Sequence, residues 1–262
     1  MTSGTEGWMQ RPMRAAMGAL LYFPSQTLLE SPRDAGLEFE ELAIDTEDGE
    51  RLHGWWVSTR QSHSAGHLLF FHGNAGNIGD RVLLADLLAS AGFDLLLFDY
   101  RGYGRSTGKP TERGTYLDAR AAGDAMVARA DCDPARVIYL GESLGAAVAA
   151  ELAQSSPPRA LILQSPFTSL RDVARRHYPL PRFLIPDAYP TLRRIRSIGA
   201  PLLVLHGDGD TIVPVSHGRK LFEAASPPKH LHVFPGLGHN DLLHAGSRYG
   251  EVITEWIDGL GR

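Results

Sequence analysis

Six short apolar runs punctuate the middle and C-terminal parts of the chain, at 67–71, 94–99, 136–140, 160–164, 201–206 and 230–234. They are continuous rather than alternating, the pattern of parallel strands buried on both faces. Between them, 79–91, 116–130, 144–154, 217–225 and 241–260 have helical length and amphipathic spacing. Upstream, 37–44 partly alternates, Asp48-Gly49 marks a turn, and 51–58 reads as the hairpin partner. The prediction is an α/β fold: a mostly parallel sheet with an antiparallel N-terminal hairpin and helices on both faces. One interval breaks the alternation. Between 164 and 201, Pro179, Pro181, Pro186 and Pro190 forbid one long helix. The expectation is one domain over 31–262, with a short helical cap inserted at about 167–198. Residues 1–30 read as an extension packed on or near it.

Composition narrows the class. The chain has 262 residues, 43% hydrophobic and 21% charged, with a formal net charge of −4. That suits a sizeable core and argues against a general nucleic-acid binder. Cys132 is the single cysteine, which excludes an intrachain disulfide framework or a Cys-based zinc site. No run has the length of a membrane-spanning helix. Arg11 and Arg14 precede a short apolar run that begins at Ala15, ends at Phe23 and is closed by Pro24. No small-x-small cleavage site follows, and Glu6 sits where a leader would be basic. The expected placement is cytoplasmic, with this run a short helix on the domain. Peripheral contact with a membrane surface is the lesser alternative.

The strongest chemical signal is Gly141-Glu142-Ser143-Leu144-Gly145, between an apolar strand and an Ala-rich helical segment. A serine hydroxyl is a poor nucleophile unless aimed outward and paired with a base. A sharp strand-to-helix turn aims it, and flanking glycines relieve the crowding. Two further loops at predicted strand ends offer partners in the order acid, then histidine. One carries Asp208 and Asp210, the other His239. His239 is the expected base. His244 falls inside the predicted C-terminal helix, His206 reads as a packing or turn residue, and Asp241 as a first-turn helix residue. An oxyanion needs donors: the N–H of Leu144, and an N–H from the loop His72-Gly73-Asn74-Ala75-Gly76-Asn77, with Asn74 the best candidate. That loop lacks the Lys and Ser/Thr of a phosphate-binding loop.

These motifs together resemble the α/β-hydrolases, in the small-cap serine hydrolase branch that includes bacterial esterases and eukaryotic membrane-anchored acyl hydrolases. The matching stretches are HGNAGN at 72–77, DYRGYGRSTG at 99–108, GESLG at 141–145, HGDGDTIVP at 206–214 and GHND at 238–241, with TEDGERLHGWWV at 46–57 as the opening hairpin. The resemblance implies a Ser143–His239–Asp210 triad. Its acid is the Asp three residues before Val-Pro, which leaves Asp208 to shape the turn. It implies Asn74 and Leu144 as oxyanion donors. It also implies hydrolysis of a small-molecule carboxylic ester or thioester through an acyl-Ser143 intermediate, with no metal or organic cofactor. The alternatives are a peptidase or amidase on the same triad, or a non-catalytic binding protein on this fold. Asp99 and the glycines of the second stretch read as loop-shaping, Ser106 as a turn or cap residue, and Cys132 as remote from the site.

The cap carries its own signal. Arg171, Arg175, Arg176, Arg182, Arg193, Arg194 and Arg196 stand against Asp172 and Asp187. Such a run is either solvated helix faces or an electropositive rim facing anionic substrates or a lipid surface. Tyr178, Leu180, Phe183, Leu184 and Ile185 read as acyl-pocket lining or as the cap's own buried face.

Overall fold

Strand β4 (Gly66–Phe71) shows why the apolar runs are continuous. Leu69 and Phe71 enter one hydrophobic core, Leu68 and Phe70 the core on the other side. Strands β6 (Phe93–Phe98) and β7 (Val137–Glu142) divide in the same way. Successive side chains of a strand point to opposite faces, so a sheet covered twice needs apolar residues at every position. The computed structural model describes residues 21–177 and 187–261. Tyr178, Leu180, Arg182, Phe183, Leu184, Ile185 and most of the 15–23 run lie outside the described residues.

The main sheet adds β2 (Phe39–Asp45), β3 (Arg51–Val57), β8 (Ala160–Gln164), β9 (Leu202–Gly207) and β10 (Lys229–Phe234). Its order is β10-β9-β8-β7-β4-β6-β3-β2, parallel except that β3 runs antiparallel to both neighbours. This is the mostly parallel α/β sheet with an antiparallel N-terminal hairpin expected from the apolar pattern. Strand β2 closes one edge with Glu40, Glu41 and Asp45, charges that discourage edge-to-edge pairing. Helices α1 (Val82–Ser90) and α7 (Ser247–Gly259) cover one face, and α2 (Glu112–Val127) and α3 (Leu144–Ser155) the other. In the cap region lie α4 (Leu170–His177) and α5 (Thr191–Ile195), followed after β9 by α6 (Ser216–Ala224).

Three helix boundaries differ from those expected, each for a local reason. Helix α1 is preceded by a separate 3-10 turn, Ile78–Arg81, capped by Asn77, whose side chain accepts from Gly79 N. Helix α2 starts earlier because the Thr111 hydroxyl caps Gly114 N–H at 2.9 Å. The long C-terminal helix is two pieces. A 3-10 turn, Leu242–Ala245, ends at Gly246 in the left-handed region (φ 58), and only then does α7 begin. His244 therefore sits in that turn, and Asp241 precedes it.

The chain runs from β4 outward to β6 and returns to β7 on β4's other side. Ligand crevices of open parallel sheets form at such a reversal, beyond the carboxyl ends of the strands. Here it brings the loop after β4 beside the turn after β7; Phe71 is in register with Gly141. The short strand β1 (Phe23–Pro24) lies over that loop, pairing with β5 (Ala75–Gly76). Among the described residues, no helix is long and apolar enough to cross a membrane.

Candidate active site

Ser143 stands where β7 stops and α3 starts, with φ 53 and ψ −108. A non-glycine residue held in the left-handed region stores about 1–3 kcal/mol, which the surrounding packing must impose. Gly141 and Gly145 make the turn sterically feasible. A Cβ on Gly145 would strike the carbonyl oxygens of Phe71 and His72, and one on Gly141 would strike the backbone of Gly145 and Ala146. The first collision also shows how closely the β4 loop presses on the start of α3. Glu142, just before the serine, takes a bidentate ion pair from Arg81 at 2.9 and 3.1 Å, with both side chains largely buried.

Asp210 follows β9, and His239 follows β10. The fold brings both to Ser143: His239 Nε2 lies 3.0 Å from Ser143 Oγ, and His239 Nδ1 lies 2.6 Å from Asp210 Oδ2. Asp210 Oδ1 accepts from the N–H groups of Ile212 (2.9 Å) and Val213 (2.7 Å). Burial alone would favour the neutral acid. Hydrogen bonds from His206 and His239, the nearby imidazole charge and the Val213 N–H outweigh it and hold the Asp210 carboxyl below the usual carboxylate range. Asp208 is elsewhere. Its Oδ1 accepts from Gly236 N at 2.6 Å, tying the acid loop to the turn after β10. Asp241 accepts from Gly238 N at 3.1 Å and so braces the His239 loop.

His206 is more than a packing residue. It is fully buried at the end of β9, its Nε2 donates to Val213 O at 2.8 Å, and the same nitrogen lies 3.3 Å from Asp210 Oδ2. The four-residue spacing from His206 to Asp210 was a faint sign of this. The Arg81–Glu142 pair had no such sign, since its members are 61 residues apart.

Of the two candidate oxyanion donors, Asn74 lies in the loop after β4 and Leu144 directly follows Ser143. Leu144 N begins α3, where the helix dipole favours negative charge. Asn74 is held from three sides: its carbonyl accepts from Phe23 N (2.9 Å) and the Tyr103 hydroxyl (2.8 Å), and its side-chain amide donates to Leu21 O (2.9 Å). Among the described residues, the backbone N–H groups of Asn74 and Leu144 have no partner. Tyr100 steadies the same loop by donating to His72 O at 3.2 Å.

Comparison with known proteins agrees with this architecture. A family model described as the alpha/beta hydrolase fold matches residues 66–179, and one described as "Serine aminopeptidase, S33" matches 184–244. An uncharacterised protein of Mycobacterium tuberculosis is 47% identical over 224 residues, covering 85% of this chain and 80% of that one. The alpha/beta hydrolase domain-containing protein WAV2 of Arabidopsis thaliana is 33% identical, covering 91% and 86%. Among solved structures, an esterase of Pyrococcus furiosus shares the fold with a TM-score of 0.76 at 22% identity, over 92% of this chain and 98% of that one. Its strand order, its strand-to-helix serine turn and its identity with these relatives along most of its length make this chain a member of the α/β-hydrolase family.

Proposed function

We propose that the protein is a serine hydrolase that cleaves small carboxylic esters or thioesters. Ser143 Oγ attacks the acyl carbonyl as His239 Nε2 takes its proton. Asp210 holds the Nδ1–H tautomer and stabilises the imidazolium. The N–H groups of Leu144 and Asn74 receive the oxyanion. His239 then protonates the departing alcohol or thiol, leaving an acyl-Ser143 ester. Water, deprotonated by His239, attacks that ester and releases the acid and free Ser143. The observation that carries the reading is the unbroken chain from Ser143 Oγ to His239 (3.0 Å) to Asp210 (2.6 Å).

Names among the solved structures of similar fold favour esters, including an acetyl xylan esterase of Paenibacillus. A peptidase or amidase on the same residues is the second reading, favoured by the serine aminopeptidase match at 184–244. A fluorophosphonate probe tests the nucleophile. Wild type is expected to label at Ser143, and Ser143→Ala to lose both the label and at least about a thousandfold in turnover. Label retained in Ser143→Ala removes the assignment, and an unlabelled wild type points to a non-catalytic binding protein. Comparison of p-nitrophenyl esters with a peptide anilide then decides between ester and amide.

A further inference from the structure

A cavity of about 330 Å³ opens in the cap region, lined by Thr168, Asp172, Arg175, Arg176, Leu192, His217 and Lys220. Its walls are chained to the catalytic loops. Thr168 lies four residues beyond Gln164, whose carbonyl receives the Ser143 N–H at 2.9 Å. His217 lies four beyond Val213, whose N–H holds Asp210. Ser143 and His239 are not among the walls, so an occupant of this space does not itself touch the nucleophile.

Its charge is unbalanced. Among the described residues, Arg175 and Arg176 have no carboxylate partner, Lys220 faces the charge of Asp172, and Asp172 is the single acid in the wall. Asp172 is already engaged, accepting from the Thr168 hydroxyl at 2.7 Å. His217, 8% exposed as a residue, adds a donor that opens to the cavity. Its Nδ1 accepts from Thr168 N at 3.2 Å and lies 2.9 Å from the Thr168 hydroxyl, which leaves Nε2 carrying the proton. Among the described residues that Nε2 has no partner. Burial pushes the imidazole below its ordinary value, so this donor is neutral near pH 7. Three cations against one engaged carboxylate around a single cavity favour an oxyanion.

We propose that this cavity is a subsite for an anionic group, a carboxylate or phosphate, carried by the substrate at the end remote from the scissile bond. Arg175, Arg176 and Lys220 supply the charge, and His217 Nε2 a directed hydrogen bond. The proposal rests on the serine hydrolase reading and specifies its substrate class. Binding at the remote end orients the acyl carbonyl at Ser143.

Two measurements test it, one of them independent of turnover. The first is the ratio of kcat/KM for mono-p-nitrophenyl glutarate to that for neutral p-nitrophenyl pentanoate. An Arg175→Gln/Arg176→Gln double variant is expected to lower the ratio about tenfold, the scale of one partly screened ion pair. Lys220→Gln, on a different helix, should lower it in the same direction, and salt should narrow the wild-type preference. The second is calorimetric titration of the Ser143→Ala protein with glutarate and with inorganic phosphate. Saturable binding is expected, and it should vanish with the arginines; whichever ion binds identifies the group. A ratio unmoved by either variant, with both esters still hydrolysed, overturns the subsite and leaves the hydrolase reading intact. Anion binding lost with the arginines, but no turnover of any ester, supports the anion site and overturns the hydrolase. An unmoved ratio with lost binding to phosphatidylglycerol vesicles assigns the arginines to a membrane surface and overturns the proposal.

Discussion

Asp210 is the most heavily constrained side chain at the site. One oxygen faces His239 and His206, and the other takes two backbone N–H groups. Asp208, two residues earlier, only ties one turn to another. Asp210→Asn should therefore reduce ester turnover by roughly 10⁴-fold, because an amide fixes the wrong imidazole tautomer. Asp208→Asn should cost less than about tenfold, and the reverse order would reassign the acid. The same hydrogen bonds make a prediction about pH. A carboxyl held below its unfolded value stabilises the fold at every pH above the ordinary carboxylate pKa of about 4. That contribution is lost as pH falls further, towards and through the folded value. In urea unfolding, the gap between wild type and Asp210→Asn should be constant from about pH 7 to 5 and shrink below about 4. A gap that keeps its full neutral-pH size down to pH 3 would contradict the low pKa.

Between elements lies a buried polar joint that the local pattern did not announce. Arg101, in the loop after β6, donates through Nη1 and Nη2 to Asp48 at 2.7 and 2.9 Å. Asp48 belongs to the β2–β3 hairpin turn. Arg101 also donates through Nε and its backbone N–H to Asp118 on α2, at 2.8 and 2.9 Å. Asp118 is fully buried, so removing Arg101 strands a charge rather than merely losing a contact. Arg101→Ala is expected to destabilise the protein by about 3–5 kcal/mol, read by chemical denaturation. Lys should not rescue it, because one ammonium cannot serve two carboxylates and keep the fork geometry. A loss below about 1 kcal/mol would show that the joint is solvated. The motif at 99–108 thus owes its form to bracing: Asp99 accepts from Ile78 N at 2.9 Å, and Ser106 donates to Asp99 O at 2.8 Å.

At the scale of the whole molecule, the N-terminal segment, the cap and the sheet are interlocked. The Tyr22 hydroxyl meets the Tyr189 hydroxyl at 2.6 Å, and Tyr189 reaches Thr115 of α2 at 3.0 Å. Tyr22 and Tyr189 are both buried in the same core as α3. One cooperative transition is therefore expected, with far-UV circular dichroism and tryptophan fluorescence coinciding on heating. A separate early transition would mean that the outer segments melt on their own.

Periodicity was sufficient for the twice-covered sheet and its hairpin edge, and local motifs for the order of the Ser143, Asp208/Asp210 and His239 loops, while the choice of Asp210 came from the family resemblance. Burial on two faces, strand alternation and turn chemistry are local demands, each written into a few consecutive residues. The pairs Arg81–Glu142 and Arg101–Asp48 span 61 and 53 residues, and His206 meets Asp210 only because β9 ends beside the acid loop. The cation-lined cavity likewise takes its walls from the loop after β8 and from the helices α4, α5 and α6. Such contacts depend on which strand lies next to which, and that order emerges only when the chain has closed its core.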